Sequence, residues 1–291
     1  MMMWEGDNMK TGLVLEGGAM RGMFTAGVMD VLMENGVSFD SIVGVSAGAA
    51  FGVNYKSGQI GRVLRYNKRF CNDKRYCSTA SLIKTGNLFN AKFCYHTVPN
   101  ELDVFDREAY NRSPVEFWLV CTEMESGTPY YHRCDKADDR CFEWIRASAS
   151  MPLVSKPVRI DGSAYLDGGM TDSIPLKFMM KKGCARNVIV LTQPRSYIKE
   201  KASLLPLMKW SLRRYPNTYK AIANRHIEYN HSRDFIFQQE KNGSAFVICP
   251  QEKLPIGRIE HDPDNLQRVY DLGRQEAERQ LEALQTFLRE G

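Results

Sequence analysis

Ser41-Ile42-Val43-Gly44-Val45-Ser46-Ala47-Gly48-Ala49-Ala50-Phe51-Gly52 is the stretch from which the rest of the chain can be read. An apolar run enters it, Gly-x-Ser-x-Gly stands at its centre, and small residues leave it. That order is strand, sharp turn, helix. A serine in that setting reads as a nucleophile elbow, where the turn strains the backbone and lifts the hydroxyl clear of the sheet. Gly44 and Gly48 are the motif glycines, because only residues without a side chain let strand and helix meet so closely. Glycine and serine also mix in ordinary turns, so the meaning of the motif depends on its surroundings.

Upstream, residues 11–15 read as a buried strand that ends in Glu16-Gly17-Gly18-Ala19-Met20-Arg21-Gly22. A helix follows over about residues 20–34, with Met20, Phe24, Val28, Val31 and Leu32 at helical spacing, and Asn35-Gly36 stops it. Strand, helix, strand, helix implies a parallel sheet with helices on both faces. Further strands are expected at 117–122, 130–133, 187–192 and 245–249, and Asp161-Gly162 between two apolar runs signals a hairpin. Helices are expected over 138–150, from Pro175 to 182, over 221–232 and over 263–289. In the last, Leu266, Val269, Tyr270, Gly273, Ala277, Leu281, Leu284 and Leu288 form one stripe. The organisation expected is a disordered lead over 1–10, an α/β unit over 11–193, and a C-terminal extension over 194–291 packed on the same unit.

The chain has 291 residues, 43% hydrophobic and 25% charged, which is ordinary for a globular protein. No apolar run approaches the roughly 20 residues that span a bilayer. The lead contains Glu5 and Asp7 and has no apolar centre, so it is not a secretory signal, and Met9 is an alternative start. Eight cysteines, at 71, 77, 94, 121, 134, 141, 184 and 249, form no CxxC and no zinc spacing, and read as reduced core thiols of a cytoplasmic protein. The net charge of +5 is unevenly spread: residues 56–100 hold nine Lys/Arg against Asp73, and residues 195–225 hold eight against Glu200. Such separation is a footprint for an anionic partner.

An elbow serine needs donors for a developing oxyanion and an acceptor for its proton. The turn Gly17-Gly18-Ala19-Met20-Arg21-Gly22 offers backbone N–H groups at a helix N-terminus. It fails the GxGxxG spacing of a dinucleotide loop because Ala19 fills the middle glycine position, and no Lys-Ser/Thr follows to make a phosphate-binding Walker loop. A tight turn without function also fits the turn alone. For the acceptor, His96, His132, His226, His231 and His261 lack a telling local context. Asp167 is more promising: it follows Leu166 at a strand end, and Gly168-Gly169 then turn the chain sharply. An aspartate becomes a base for serine only where desolvation and positioning raise it from its reference pKa of about 3.9.

Together these motifs resemble the patatin-like phospholipase family. Its pattern is a glycine-rich turn with Arg or Lys, then GxSxG, then Asp-Gly-Gly or Asp-Gly-Ala, and the resemblance covers about residues 10–193, including Ala147-Ser148-Ala149-Ser150-Met151-Pro152. It implies a three-layer patatin-like α/β fold with a mostly parallel central sheet. It implies a lipid acyl hydrolase with Ser46 as nucleophile, Asp167 as base, the backbone at Gly17, Gly18 and Ala19 as oxyanion hole, Arg21 and Gly22 completing that loop, and no metal or cofactor. One departure stands out: Ala19 occupies a position usually held by a third glycine, where a methyl group opposes a positive φ.

The window 195–225 also carries Leu204-Leu205-Pro206-Leu207-Met208 and Trp210 beside Arg213, Arg214 and Lys220, and the window 56–100 adds Tyr66, Phe70, Tyr76, Phe89 and Phe93. Apolar anchors among cations suit an anionic membrane surface, so both windows are expected around the mouth of the site, docking a cytoplasmic protein peripherally on a bilayer. Two solvated basic faces are the plainer alternative, and no motif for nucleic acid is present. The rival functions are a non-catalytic lipid- or anion-binding protein on the same scaffold, and a nucleotide-binding α/β protein whose glycine turn holds phosphate. The sequence leaves the preferred lipid and the oligomeric state open.

Overall fold

The computed structural model describes residues 9–289, so the expected lead, apart from Met9 and Lys10, lies outside the described residues. Strand β1 (Thr11–Leu15) and strand β2 (Ser41–Val45) run parallel, joined through helix α1 (Gly22–Glu34). Helix α2 (Ala47–Lys56) leaves β2 directly. Helices α3 (Arg62–Phe70) and α4 (Thr79–Thr85), a π-helical segment (Phe93–Leu102) and helix α5 (Arg107–Arg112) then lead to strand β3 (Glu116–Glu123). Strand β4 (Thr128–Arg133) turns back along β3, and helix α6 (Asp139–Ser148) follows, its N-terminus capped by Asp138, which accepts from the Cys141 amide at 2.8 Å. Strands β5 (Val158–Ile160) and β6 (Ser163–Asp167) form the expected hairpin. Its two turn residues, Asp161 (φ 50°) and Gly162 (φ 83°), both take the left-handed conformation that matches strand twist.

Helix α7 (Leu176–Lys181), strand β7 (Arg186–Val190), helices α8 (Leu205–Ser211) and α9 (Pro216–Lys241), strand β8 (Ala245–Ile248) and helix α10 (Pro263–Arg289) complete the chain. The sheet order is β5-β6-β3-β2-β1-β7-β8, with β4 also paired to β3. Five strands, β3-β2-β1-β7-β8, are parallel, while β4 and β6 pair antiparallel with β3 and β5 pairs antiparallel with β6. The expected α/β fold with a mostly parallel sheet and a helical C-terminal region is therefore present, and the strand near 246 belongs to the same sheet.

Alternation along the buried strands makes the three layers. Leu13, Leu15 and Ile42 point to the face covered by α1, α2, α6 and α10, where Phe24, Phe51, Trp144 and Val269 join them. Val14, Val43, Val45 and Ile189 point to the other face, against Leu176 and Met179 of α7 and Tyr229 and Ile236 of α9. With both faces covered, the central strands read as continuous apolar runs. Helix α10 crosses α1 at two glycines. A Cβ on Gly27 would sit 2.0 Å from the Tyr270 carbonyl oxygen, and one on Gly273 would sit 2.0 Å from that of Phe24. The crossing also carries a Tyr270 hydroxyl bond to Asp30 at 2.7 Å and an Arg274–Glu34 ion pair at 2.7 Å.

Two regions depart from the sequence reading. Helix α9 runs 26 residues, far beyond the expected 221–232. The basic window 56–100 is folded, and its helix α3 buries Val63, Tyr66, Asn67 and Phe70 while Arg65 and Arg69 face outward. That is helical spacing of apolar residues hidden among cations.

Candidate active site

Ser46 stands between β2 and α2 with φ 55° and ψ −120°, a conformation that costs a non-glycine residue about 1–3 kcal/mol. The crowding that the glycines relieve is severe. A Cβ on Gly44 would lie 2.4 Å from the Gly48 carbonyl oxygen, and one on Gly48 would lie 2.3 Å from that of Leu15. The strained turn is held from outside. The Ser46 amide donates to Ser148 Oγ at 2.9 Å, and that hydroxyl donates to the Val120 carbonyl of β3 at 2.6 Å.

Asp167 reaches Ser46 through the sheet register. Along one edge of β3, Val45 of β2 pairs with Val120, and Asp167 of β6 pairs with the next residue, Cys121. Strands β2 and β6 run in opposite directions, so their C-terminal ends meet head to head at that point. The Ser46 side chain stands close enough to the Asp167 carboxylate there to lower its pKa. Asp167 is 5% exposed, accepts from the Gly169 amide at 2.7 Å, and donates its own amide to the Ser150 carbonyl at 2.8 Å. Burial raises its pKa, against the lowering pull of the Ser46 hydroxyl, Arg225, the Gly169 amide and Arg258. Gly168 must be glycine for its contact with β3, since a Cβ there would lie 2.1 Å from the Val120 carbonyl oxygen.

The glycine turn packs against the elbow. A Cβ on Gly17 would lie 3.0 Å from Ser46 Cβ, and one on Gly18 would lie 2.7 Å from Thr192 Oγ1. Among the described residues, the amides of Gly17, Gly18 and Ala19 donate to no protein group, which leaves them available beside the serine. Ala19 takes φ 49° despite its methyl group. Holding a residue with a methyl group at that φ costs strain of about 1–2 kcal/mol. Glu16 secures the loop from below. Its carboxylate accepts from the Thr192 amide at 2.6 Å, the Thr192 hydroxyl at 3.1 Å and the Tyr229 hydroxyl at 2.6 Å. Gly22 starts α1 against the Phe51 ring, where a Cβ would lie 2.8 Å from a ring carbon. Arg21 buries its Nε with no hydrogen-bond partner among the described residues.

A cavity of about 240 Å³ opens at Ser46. It is larger than the roughly 150 Å³ that admits a benzene ring. Its walls are apolar, with Met20, Phe51, Tyr66, Leu88, Phe142 and Ile145 among them, and Arg258 stands with Ile259 on its lining. This overturns part of the docking expectation. Tyr66, Phe70, Tyr76 and Phe93 are 4–8% exposed and belong to the core or the cavity wall, not to an outer face. Arg62 and Arg65 of the same window bind Asp103, just past its end, at 3.1 and 2.8 Å, so part of its charge is spent inside the protein. Part of the window 195–225 does face outward: Ile198, Leu204, Leu207 and Trp210 are 49–73% exposed, and Arg213 stacks on the Trp210 ring at 5.3 Å.

No histidine lines the cavity. His132 stacks on Trp144 at 4.2 Å with its pKa pushed down to about 4 by burial, His96 pairs with Glu143 at 3.4 Å, and His261 meets the Cys71 carbonyl at 2.6 Å. His226 buries Nδ1 without a partner among the described residues, and His231 is exposed. Ser148 and Ser150, to which the sequence attaches no task, hold the pair in place: Ser148 ties Ser46 to β3, and the Ser150 carbonyl, just past the end of α6, accepts the Asp167 amide. No site motif in the sequence covers Glu16, Lys199, Arg225 or Arg258. Only a buried acid following a strand marks Glu16, and nothing local marks the three cations.

Two family models match the chain: patatin-like phospholipase over residues 13–180, and a domain of unknown function, DUF6363, over residues 215–289. The chain is 25% identical over 279 residues to the uncharacterized protein YjjU of Escherichia coli, covering 90% of this chain and 74% of that one. It is 30% identical over 189 residues to lysophospholipase NTE1 of Debaryomyces hansenii, covering 60% of this chain but only 11% of that much longer protein. Among solved structures, VipD from Legionella pneumophila superposes with a TM-score of 0.47 at 13% identity, covering 94% of this chain and 67% of that one. With the matched segment holding the glycine turn, the serine elbow and the Asp-Gly-Gly turn in one site, the chain belongs to the patatin-like phospholipase family, a family of lipid acyl hydrolases.

Proposed function

We propose that the protein hydrolyses acyl esters of lipids through a Ser46–Asp167 dyad. The observation that carries this reading is the strained Ser46, brought by the register along β3 beside a buried carboxylate at the mouth of an apolar cavity. The acyl chain lies in the cavity with its carbonyl carbon over Ser46 Oγ. As Oγ bonds to that carbon, its proton passes to Asp167, whose raised pKa suits it to accept. The amides of Gly17, Gly18 and Ala19 hold the oxyanion, each well-aimed donor contributing roughly 3 kcal/mol in the transition state. The carbon–oxygen bond to the alcohol then breaks, and Asp167 returns the proton to the leaving oxygen. Water, deprotonated by Asp167, cleaves the acyl-enzyme in the same way.

Residues from 194 onward act as part of the catalytic unit in this reading, since β8 extends its sheet and α10 covers α1. The exposed Ile198, Leu204, Leu207 and Trp210, with Lys209, Arg213 and Arg214, dock the protein on an anionic bilayer. The free glycine-turn amides alone would also suit an anion-binding protein without turnover, and a fluorophosphonate probe separates the two. The enzyme is labelled and Ser46→Ala is not. Product analysis on phospholipids, lysolipids and neutral esters, wild type against Ser46→Ala, then reads turnover. Absence of labelling in the folded wild type rejects the proposal, and turnover persisting in Asp167→Asn rejects the dyad.

A further inference from the structure

Four cations crowd the site from outside the catalytic pair. Arg258, in the segment between β8 and α10, lines the cavity. Arg225 of α9 brings Nη2 to within 3.2 Å of the point a Cβ on Gly169 would take, and Asp167 Oδ1 lies 3.0 Å from that same point. Lys199, in the segment between β7 and α8, lies over the Tyr229 ring at 4.2 Å. Arg21 belongs to the glycine turn. Burial, with Arg225, Arg21 and Arg258 nearby and only Glu16 opposing, pushes Lys199 down to about 8, so the four cations share one field.

The protein supplies too little negative charge for this cluster. Glu16 and Asp167 are the carboxylates that act on Lys199 and Arg225, and Glu16 already accepts from Thr192 and Tyr229. None of the four cations makes an ion-pair contact among the described residues. The Nε of Arg225 and the Nε of Arg21 are both buried with no acceptor among the described residues. Leaving guanidinium donors unpaired away from water is costly, and an anionic group supplied by a ligand would relieve it.

We propose that Arg225, Arg258 and Lys199, with Arg21, bind a phosphate group carried by the lipid substrate, so that the site selects phosphate-bearing lipids over neutral esters of the same acyl chain. The proposal deepens the hydrolase reading and rests on it for the placement of the acyl chain. The cavity takes the chain, Ser46 takes the ester, and the cations take the headgroup beyond it. Three of the four cations lie outside residues 13–180, and two lie within residues 215–289, the stretch matched to a domain of unknown function. That stretch thereby gains a task as the part of the enzyme that recognises the headgroup.

Binding tests this separately from catalysis. Ser46→Ala protein is titrated calorimetrically with monomeric 1-acylglycerol 3-phosphate and with 1-acylglycerol of the same short acyl chain. The phosphate-bearing lipid is expected to bind at least about tenfold tighter, and adding Arg258→Gln, at an exposed position, should remove most of that preference. Arg225→Lys, which keeps charge but loses the planar fork, should remove part of it, with a thermal melt confirming the fold. Equal affinity for the two lipids, or a preference untouched by Arg258→Gln, overturns the proposal whether or not the wild type hydrolyses anything. Inorganic phosphate is the third ligand: if it binds as tightly as the phosphate-bearing lipid, the cluster is a site for the free ion and the headgroup assignment fails. In the active wild type, the ratio of kcat/KM for the two lipids should fall toward one in the same variants. Loss of all fluorophosphonate labelling in the wild type would refute the hydrolase reading alone, leaving the binding preference to be judged by itself.

Discussion

Ser148→Ala removes one oxygen atom and should disable the elbow without touching substrate. Ser148 is fully buried, and its hydroxyl both accepts from the Ser46 amide at 2.9 Å and donates to the Val120 carbonyl at 2.6 Å. Alanine leaves that amide and that carbonyl short of a partner. At about 1–3 kcal/mol for each of the two orphaned buried groups, the loss comes to roughly 2–6 kcal/mol. The turn can recover part of this by relaxing Ser46 from φ 55°, since the strain stored there is about 1–3 kcal/mol. Relaxation moves Oγ off the line between Asp167 and the glycine turn, and a 1 Å misplacement can cost about 10²-fold in rate. The expected result is a loss of about 2 kcal/mol in urea denaturation together with at least a 10²-fold slower fluorophosphonate labelling of Ser46. Ser150→Ala is the control. The Ser150 hydroxyl donates to the Arg146 carbonyl, while its contact with Asp167 uses the backbone carbonyl, which the substitution keeps. Labelling of Ser148→Ala within about threefold of wild type, with the stability loss present, would refute the view that this bond positions the nucleophile.

Four further outcomes follow from the same structure. Because burial holds the Asp167 pKa above the usual carboxylate range, the acid limb of kcat/KM on a neutral ester should lie above pH about 3.9, and Arg258→Gln, which removes a lowering influence, should move it to higher pH. A raised folded-state pKa adds stability below the unfolded pKa that is lost as pH rises through the folded one, so at pH 7 Asp167→Asn should melt at a higher temperature while losing turnover. Gly273→Ala drives a methyl group toward the Phe24 carbonyl, so overpacking of about 1–3 kcal/mol or more should outweigh the roughly 1 kcal/mol gained in helix propensity, and the melting temperature should fall. Leu207→Ser with Trp210→Ser, and separately neutralised Arg213 and Arg214, should each weaken sedimentation with anionic vesicles; equal binding to neutral and anionic vesicles by the wild type would reject docking on charge.

Each motif was legible because its chemistry is local. Gly44, Gly48 and Gly168 stand where a Cβ would strike a backbone carbonyl, and such positions show in the sequence as glycine. The hairpin at Asp161-Gly162 was legible for a similar reason, since both residues take positive φ. The aromatic residues of α3 were misread because every third or fourth position is apolar while Arg and Lys fill the rest. Charge density concealed an inward face. The same density suggested a membrane contact that Asp103 partly cancels from beyond the window.

What the sequence determined by itself was the set of local geometries: a strained serine turn, a glycine turn with free amides, and an aspartate held at a strand end. Which of them meet was decided by pairing along β3. Val120 takes the end of β2 and Cys121 takes the end of β6, so two residues far apart in the chain become neighbours through a register difference of one position. The burial that raises Asp167 and the three cations contributed by the C-terminal region are likewise properties of the assembled sheet and its covering helices. Hydrogen-bond register, burial and electrostatic fields depend on distances between segments, and those distances exist only once the chain has folded.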